Sequence, residues 1–252
     1  MSPAGESPAA ASAGTGRSRD AHDPAAGPAR RAPLLLLALI APFGLLYVPG
    51  GILVTGDATA TASNLRALGG MVRLGMASEL VHQALAIFLL LALYELFKPV
   101  HEGWAKLLVC LGALLSVPIM FVNSLNQIAA LTLVSGADYL KVFDAAQLDA
   151  LAYLFLRLHG KGIDVASIFW GLWLFPFGLL VLRSRFIPRL FGYLLLVAGT
   201  GYLAAAAANL IVPQWLPVIG PLALPLEMGE VPIIFWLLLR GAKPQTPEAA
   251  IA

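Results

Sequence analysis

Charge is scarce in this chain. Only 12% of its 252 residues are Asp, Glu, Lys or Arg, about half of the roughly 25% usual in soluble domains. Cysteine is nearly absent. The single residue, Cys110, lies within an apolar run, which excludes an intrachain disulfide framework and any zinc site built from several cysteines. A net charge of +2 gives no general attraction to polyanions, so no nucleic-acid partner is expected. No phosphate-cradling glycine loop, no H-E-x-x-H and no G-x-S-x-G occurs, and no Ser-His-Asp order stands out. No cofactor is specified.

What the chain has instead is apolar length. Hydrophobic residues make up 59% of it, and its mean hydropathy is +0.83. A soluble fold of this size could bury a core but could not hide that much apolar surface, so lipid is its natural solvent. Six runs are long enough to cross about 30 Å of hydrocarbon: Leu34–Leu53, Leu74–Phe97, Trp104–Leu125, Val165–Leu182, Pro188–Val212 and Leu222–Leu239. Spans this long must be helical, because lipid cannot satisfy open backbone. The expected fold is all-α, a polytopic membrane helix bundle of about six transmembrane helices.

Residues 1–31 are low in complexity and carry nothing apolar larger than Ala after Met1, so they read as a disordered cytoplasmic tail. Residues 32–243 form the six-span membrane domain, and 244–252 a second short cytoplasmic tail. Loop charge sets the orientation. With the N-terminus inside, the inner segments hold Arg17, Arg19, Arg30, Arg31, Lys98, Lys106, Arg183, Arg185, Arg189, Arg240 and Lys243. The outer ones hold only Arg66, Arg73, Lys141, Arg157 and Lys161. This follows the positive-inside rule and predicts a plasma-membrane protein with both termini cytoplasmic.

The outer segment 135–163 has a pattern of its own. Asp144 can cap a helix whose Leu148, Leu151, Phe155 and Leu158 form one apolar stripe, an outer amphipathic helix on the membrane surface or lidding the bundle. Gly160 and Gly162 are expected to end it. The fifth span is rich in small residues, Gly192, Gly199, Gly201 and Ala204 to Ala208, which allow close helix approach either within the bundle or between copies in a homo-oligomer.

Ordered phrases run through the spans: V-P-I-M-F-V-N-S-L-N-Q-I-A-A-L, Q-L-D-A-L-A-Y-L-F-L-R-L-H-G, I-F-W-G-L-W-L-F-P-F-G-L-L, F-I-P-R-L-F-G-Y-L-L-L-V-A-G-T-G-Y-L and L-E-M-G-E-V-P-I-I-F-W-L-L-L-R-G-A-K, with G-L-L-Y-V-P-G and L-A-L-Y-E-L-F upstream. Over roughly residues 34–243 the chain resembles the bacterial membrane proteins grouped as domain-of-unknown-function family 4386. The resemblance implies a polytopic membrane protein and no activity or catalytic residue. That family carries Glu where this chain has Gln127, which weakens any role needing a charge there.

Ionisable groups inside a span cost about 2.5–3.5 kcal/mol even on low estimates, so they are candidates for function. Glu79 and His82 share a face of the second span, and Glu227 and Glu230 share one of the sixth. Asn123, Asn126 and Gln127 lie near the outer end of the third span, and Asp164 starts the fourth. All fall in the outer half, where they are expected to line one polar pocket opening outward. Such a cluster suits a proton relay, a cation or divalent metal, or acid–base chemistry; Asn, Gln and Glu also serve simply to join helices. His159 and Asp164 read as solvated interface residues, and His101 as merely solvated. Three functions fit: handling of a small molecule or ion, an intramembrane acid–base or metal-dependent enzyme, and a non-catalytic accessory or scaffold subunit.

Overall fold

The computed structural model describes residues 43–240. Among these there is helix and turn but no strand, as expected of an all-α bundle. The main helices are α1 (Val48–Ile52), α2 (Ala58–Ala67), α3 (Gly69–Val109), α4 (Ser116–Leu133), α5 (Ala145–Ser184), α6 (Arg189–Leu210), α7 (Leu216–Glu227) and α8 (Val231–Arg240). Among the described residues, four stretches are long and apolar enough to cross a membrane: Gly69–Leu133, Ala145–Ser184, Arg189–Leu210 and Pro213–Arg240. Large apolar side chains also face outward, among them Phe88, Leu114, Val122, Leu222 and Leu239, as lipid-facing surface requires. The tails at 1–31 and 244–252 and most of the first expected span lie outside the described residues. Of that span, a π-helical turn at Phe43–Tyr47 and α1 are described.

The longest stretch doubles back. His101 has φ −165° and ψ 100°, breaking α3 two residues after Pro99. Its Nδ1 accepts the Trp104 backbone N–H at 3.2 Å and its ring stacks on Trp104 at 4.7 Å. His101 thus caps the returning limb, a structural use that solvation alone does not describe. The register of the two limbs is antiparallel. A Cβ on Gly69 would touch Leu131, Glu79 meets Gln127, and Leu90 packs on Gly112 in the π-helical stretch Cys110–Leu115. The expected second and third spans are therefore these two limbs.

Helix α5 corrects one expectation. Asp144 caps it in a full capping box with Gln147, but Gly160 and Gly162 do not end it. The helix runs 40 residues to Ser184, ~60 Å at 1.5 Å per residue. Neither glycine has positive φ. Gly162 is there for contact, since a Cβ would lie 2.0 Å from Asn123 Oδ1. The amphipathic segment is thus the first half of the fourth span's own helix, and its Leu148, Leu151 and Phe155 pack into the bundle.

Small residues join α5 to α6. A Cβ on Gly171 would lie 2.9 Å from the Gly199 carbonyl oxygen, and one on Gly199 the same distance from that of Gly171. Gly178 and Gly192 repeat the contact at 2.8 and 2.9 Å. Gly201 packs against α7, where a Cβ would lie 2.8 Å from that of Leu226. These three glycines of the fifth span are therefore used within the chain. The last span starts earlier than expected, at Leu216 rather than Leu222, and breaks at a 3₁₀ turn, Met228–Glu230, just before Pro232.

Two apolar cores stack along the bundle. One gathers Leu90, Phe97, Leu108, Leu174, Leu180, Leu195 and Ile233. The other gathers Ile52, Leu65, Val72, Leu131, Leu140 and Ala152. Between them α3, α4 and α5 bury Glu79, Gln83, Asn123, Ser124, Gln127 and His159. Replacing Gly178 with Ala should lower the thermal unfolding midpoint in detergent by the equivalent of about 1–3 kcal/mol, the usual cost of overpacking. Gly70→Ala, where the new methyl meets nothing within 4 Å, should leave it unchanged or slightly higher.

Candidate functional site

The polar layer is built on three helices. Glu79 of α3, Gln127 of α4 and His159 of α5 are each about 5% exposed or less. Gln127 Nε2 donates to Glu79 Oε1 at 3.0 Å and lies 2.8 Å from His159 Nε2. His159 Nε2 is also 3.5 Å from Glu79 Oε2. His159 Nδ1 is 3.3 Å from the Asn123 carbonyl oxygen. These contacts fit a neutral imidazole that donates from Nδ1 to Asn123 and accepts at Nε2 from Gln127. Asn123 Nδ2 in turn donates to the His159 carbonyl at 2.9 Å, and Asn126 Nδ2 donates to Asn123 Oδ1 at 3.0 Å.

One atom of this network is left over. Both N–H bonds of the Gln127 amide are used, but its Oε1 is buried and has no hydrogen-bond partner among the described residues. A buried unpaired carbonyl forgoes about 1–3 kcal/mol. The layer is covered on the side away from α5: a Cβ on Gly44 would lie 2.8 Å from Glu79 Cγ. Its Asp144-side end is filled by the second apolar core. Ile52, Leu65, Leu131 and Leu140 belong to that core.

The other expected residues lie elsewhere. His82 is half-buried on α3, with Nδ1 3.5 Å from Gln83 Nε2. Asp164 accepts from Lys161 at 3.1 Å, and the same ammonium donates to the Asn209 carbonyl at 2.9 Å, tying α5 to the end of α6. Glu230 accepts from the Tyr202 hydroxyl at 2.6 Å, at the break between α7 and α8. Glu227 sits half-buried one turn before it. Among the described residues no hydrogen bond or ion pair joins this pair to Glu79, and their segments pack on α6. The expected residues thus fall into two hydrogen-bonded groups, one around Gln127 and one at Tyr202 and Glu230. Among the described residues no three His, Cys, Asp or Glu side chains stand close enough to share a metal ion.

His159 is buried, not solvated as expected. A helix stop at Gly160 would leave it in solvent, but α5 continues past that glycine. In the continuous helix Ala152, His159 and Ala166 fall seven apart on one face, and all three are buried. Gln83, 3% exposed, carried no signal beyond its place one turn from Glu79.

The fold and this site define a multi-pass membrane helix bundle with a hydrogen-bonded polar layer among its helices. The family model described as "Domain of unknown function (DUF4386)" matches residues 32–241, and the chain belongs to that family. An uncharacterized protein of Archaeoglobus fulgidus is 33% identical over 84 residues, which cover 32% of this chain and 47% of that protein. The chain thus spans about half the length of this relative. No solved structure matches.

Gln127→Leu should destabilise the protein by about 1–3 kcal/mol, because it strands both Glu79 and His159. Leu125→Ala, on an exposed side chain of the same helix, should cost far less. Reversible unfolding in mixed detergent measures both.

Proposed function

We propose that this chain is a small-molecule- or ion-handling membrane protein, and that Glu79, Gln127 and His159 form its binding centre. The observation that carries this reading is the unpaired, buried Gln127 Oε1 beside a carboxylate and an imidazole. A free carbonyl next to a carboxylate is an acceptor pair. It suits a small solute that donates hydrogen bonds and carries positive charge, such as a primary ammonium group. Glu79 would supply the counter-charge to such a cation, with the Gln127 carbonyl oxygen as the second acceptor. Asn123 and Asn126 are positioning residues that fix the imidazole through its own backbone.

The location that goes with this reading is the plasma membrane, with both termini on the cytoplasmic side. Its support is the gathering of Arg183, Arg185, Arg189 and Arg240 at one end. A second reading, transport along the α6–α8 face, is favoured by one observation: a span broken at Met228–Glu230 with Glu230 bonded to Tyr202. Discontinuous helices of this kind build substrate sites in carriers.

The test uses methylammonium as probe. Its binding to the purified protein in detergent is read by isothermal titration calorimetry. Glu79→Gln should abolish the binding while leaving the protein folded by its unfolding midpoint. A wild-type protein that binds no methylammonium, or a folded Glu79→Gln variant that binds it equally well, would overturn the proposal.

A further inference from the structure

The arginine end of the bundle carries a second site. A hollow of about 480 Å³ opens there, lined by Arg185, Arg189 and Arg240 together with Phe186, Ile187 and Trp236. Most other cations at this end already have partners. Lys98 pairs with Glu95 and Lys106 with Glu102, and Arg183 lies over the Trp104 ring at 4.1 Å. Arg185, Arg189 and Arg240 have neither a carboxylate nor a ring partner among the described residues, and they are the three that line the hollow.

The backbone concentrates them. Ser184 ends α5, and Arg185 follows in the left-handed region at φ 58°, the one non-glycine residue so placed among those described. That conformation is costly for a residue with a Cβ. It turns the chain within the short link to Pro188, so that Arg185 and Arg189 stand at one mouth. Arg189 is also the first residue of α6, whose cap, Pro188, offers no side-chain acceptor to the first backbone N–H groups. A 22-residue helix thus points its positive end into the same region. Trp236 supplies an amphipathic wall, and exposed Leu190 and Leu239 are the chain neighbours of Arg189 and Arg240, with exposed Tyr193 one turn further along α6.

We infer that this hollow binds the phosphate headgroup of an anionic phospholipid, with the acyl chains lying along the flanking apolar surface. Forked guanidiniums match phosphate oxygens in a way that ammonium groups do not. The position at the end of the spans, next to exposed apolar side chains, favours a lipid over a soluble phosphate.

Native mass spectrometry of the intact protein tests it, after equilibration with mixed micelles of phosphatidylglycerol and phosphatidylcholine. The wild type should retain phosphatidylglycerol selectively. The triple variant Arg185→Lys, Arg189→Lys, Arg240→Lys keeps the charge, and with it the topology, but loses the forks. Its retention should fall about tenfold, equivalent to one charge-assisted hydrogen bond. Unchanged retention in that variant would reduce the site to diffuse charge and overturn the inference, as would equal retention of the two lipids. Inorganic phosphate is the remaining arm. If it displaces the lipid at concentrations matching the lipid's own, the hollow is a soluble-phosphate site and the lipid assignment fails. Trp236→Phe, which leaves all three arginines, should weaken retention without changing the preference for phosphatidylglycerol; loss of that preference would count against the headgroup assignment.

Discussion

A polar side chain buried inside a helix bundle must find its partner in the protein, and here the arrangement turns on one carboxamide. Asn123 lies against the backbone of α5, close enough that position 162 can carry no Cβ. Its Nδ2 donates to the His159 carbonyl, and its own carbonyl oxygen faces His159 Nδ1. This two-way contact fixes both the rotation and the register of α4 on α5. One turn along α4, Gln127 is then brought against His159 Nε2 and Glu79 together. The Asn123–Gly162 contact therefore positions the whole layer.

The same logic runs down the other face of α5, with glycine carbonyls instead of amides. Gly171 with Gly199 and Gly178 with Gly192 hold α6 at near-backbone distance. In lipid there is no hydrophobic drive between helices, so close packing of this kind supplies the attraction. Helix α5 is thereby gripped on two sides by different means. Glu230 is bonded instead to Tyr202 of α6, whose ring packs against the core shared by α3 and α5.

Much of this was legible in the chain. Composition and run length establish helices in lipid, and the spacing of Asp144 with Leu148, Leu151 and Phe155 gives a capped helix with a packed stripe. Glu79, Asn123 and Gln127 stood out because each is expensive where it sits. Other features were hidden for physical reasons. Gly162 looks the same in sequence whether it ends a helix or admits a neighbour, and only the neighbour decides. That ambiguity removed His159 from view. Equal depth of Glu79 and Glu230 suggested one pocket, but depth carries no information about which helices are adjacent. The second apolar core was concealed because Leu65, Leu131 and Leu140 belong to separate segments that meet only when folded.

The bundle's long axis is therefore ordered by chemistry: an arginine-rich end, an apolar core, a polar layer, and a second core beneath the Asp144 end. Arg66 of α2 adds an ion pair to Asp149 of α5 there, binding the short outer helix to the long one. Glu95–Lys98 and Glu102–Lys106 at the opposite end are exposed pairs, worth little in stability. Glu79 and His159 act as one unit through Gln127. A double-mutant cycle of Glu79→Gln and His159→Gln, read from unfolding free energies in mixed detergent, measures that directly. The expected coupling is about 0.5–3 kcal/mol, the range for residues sharing one network; additive effects of the two substitutions would contradict it.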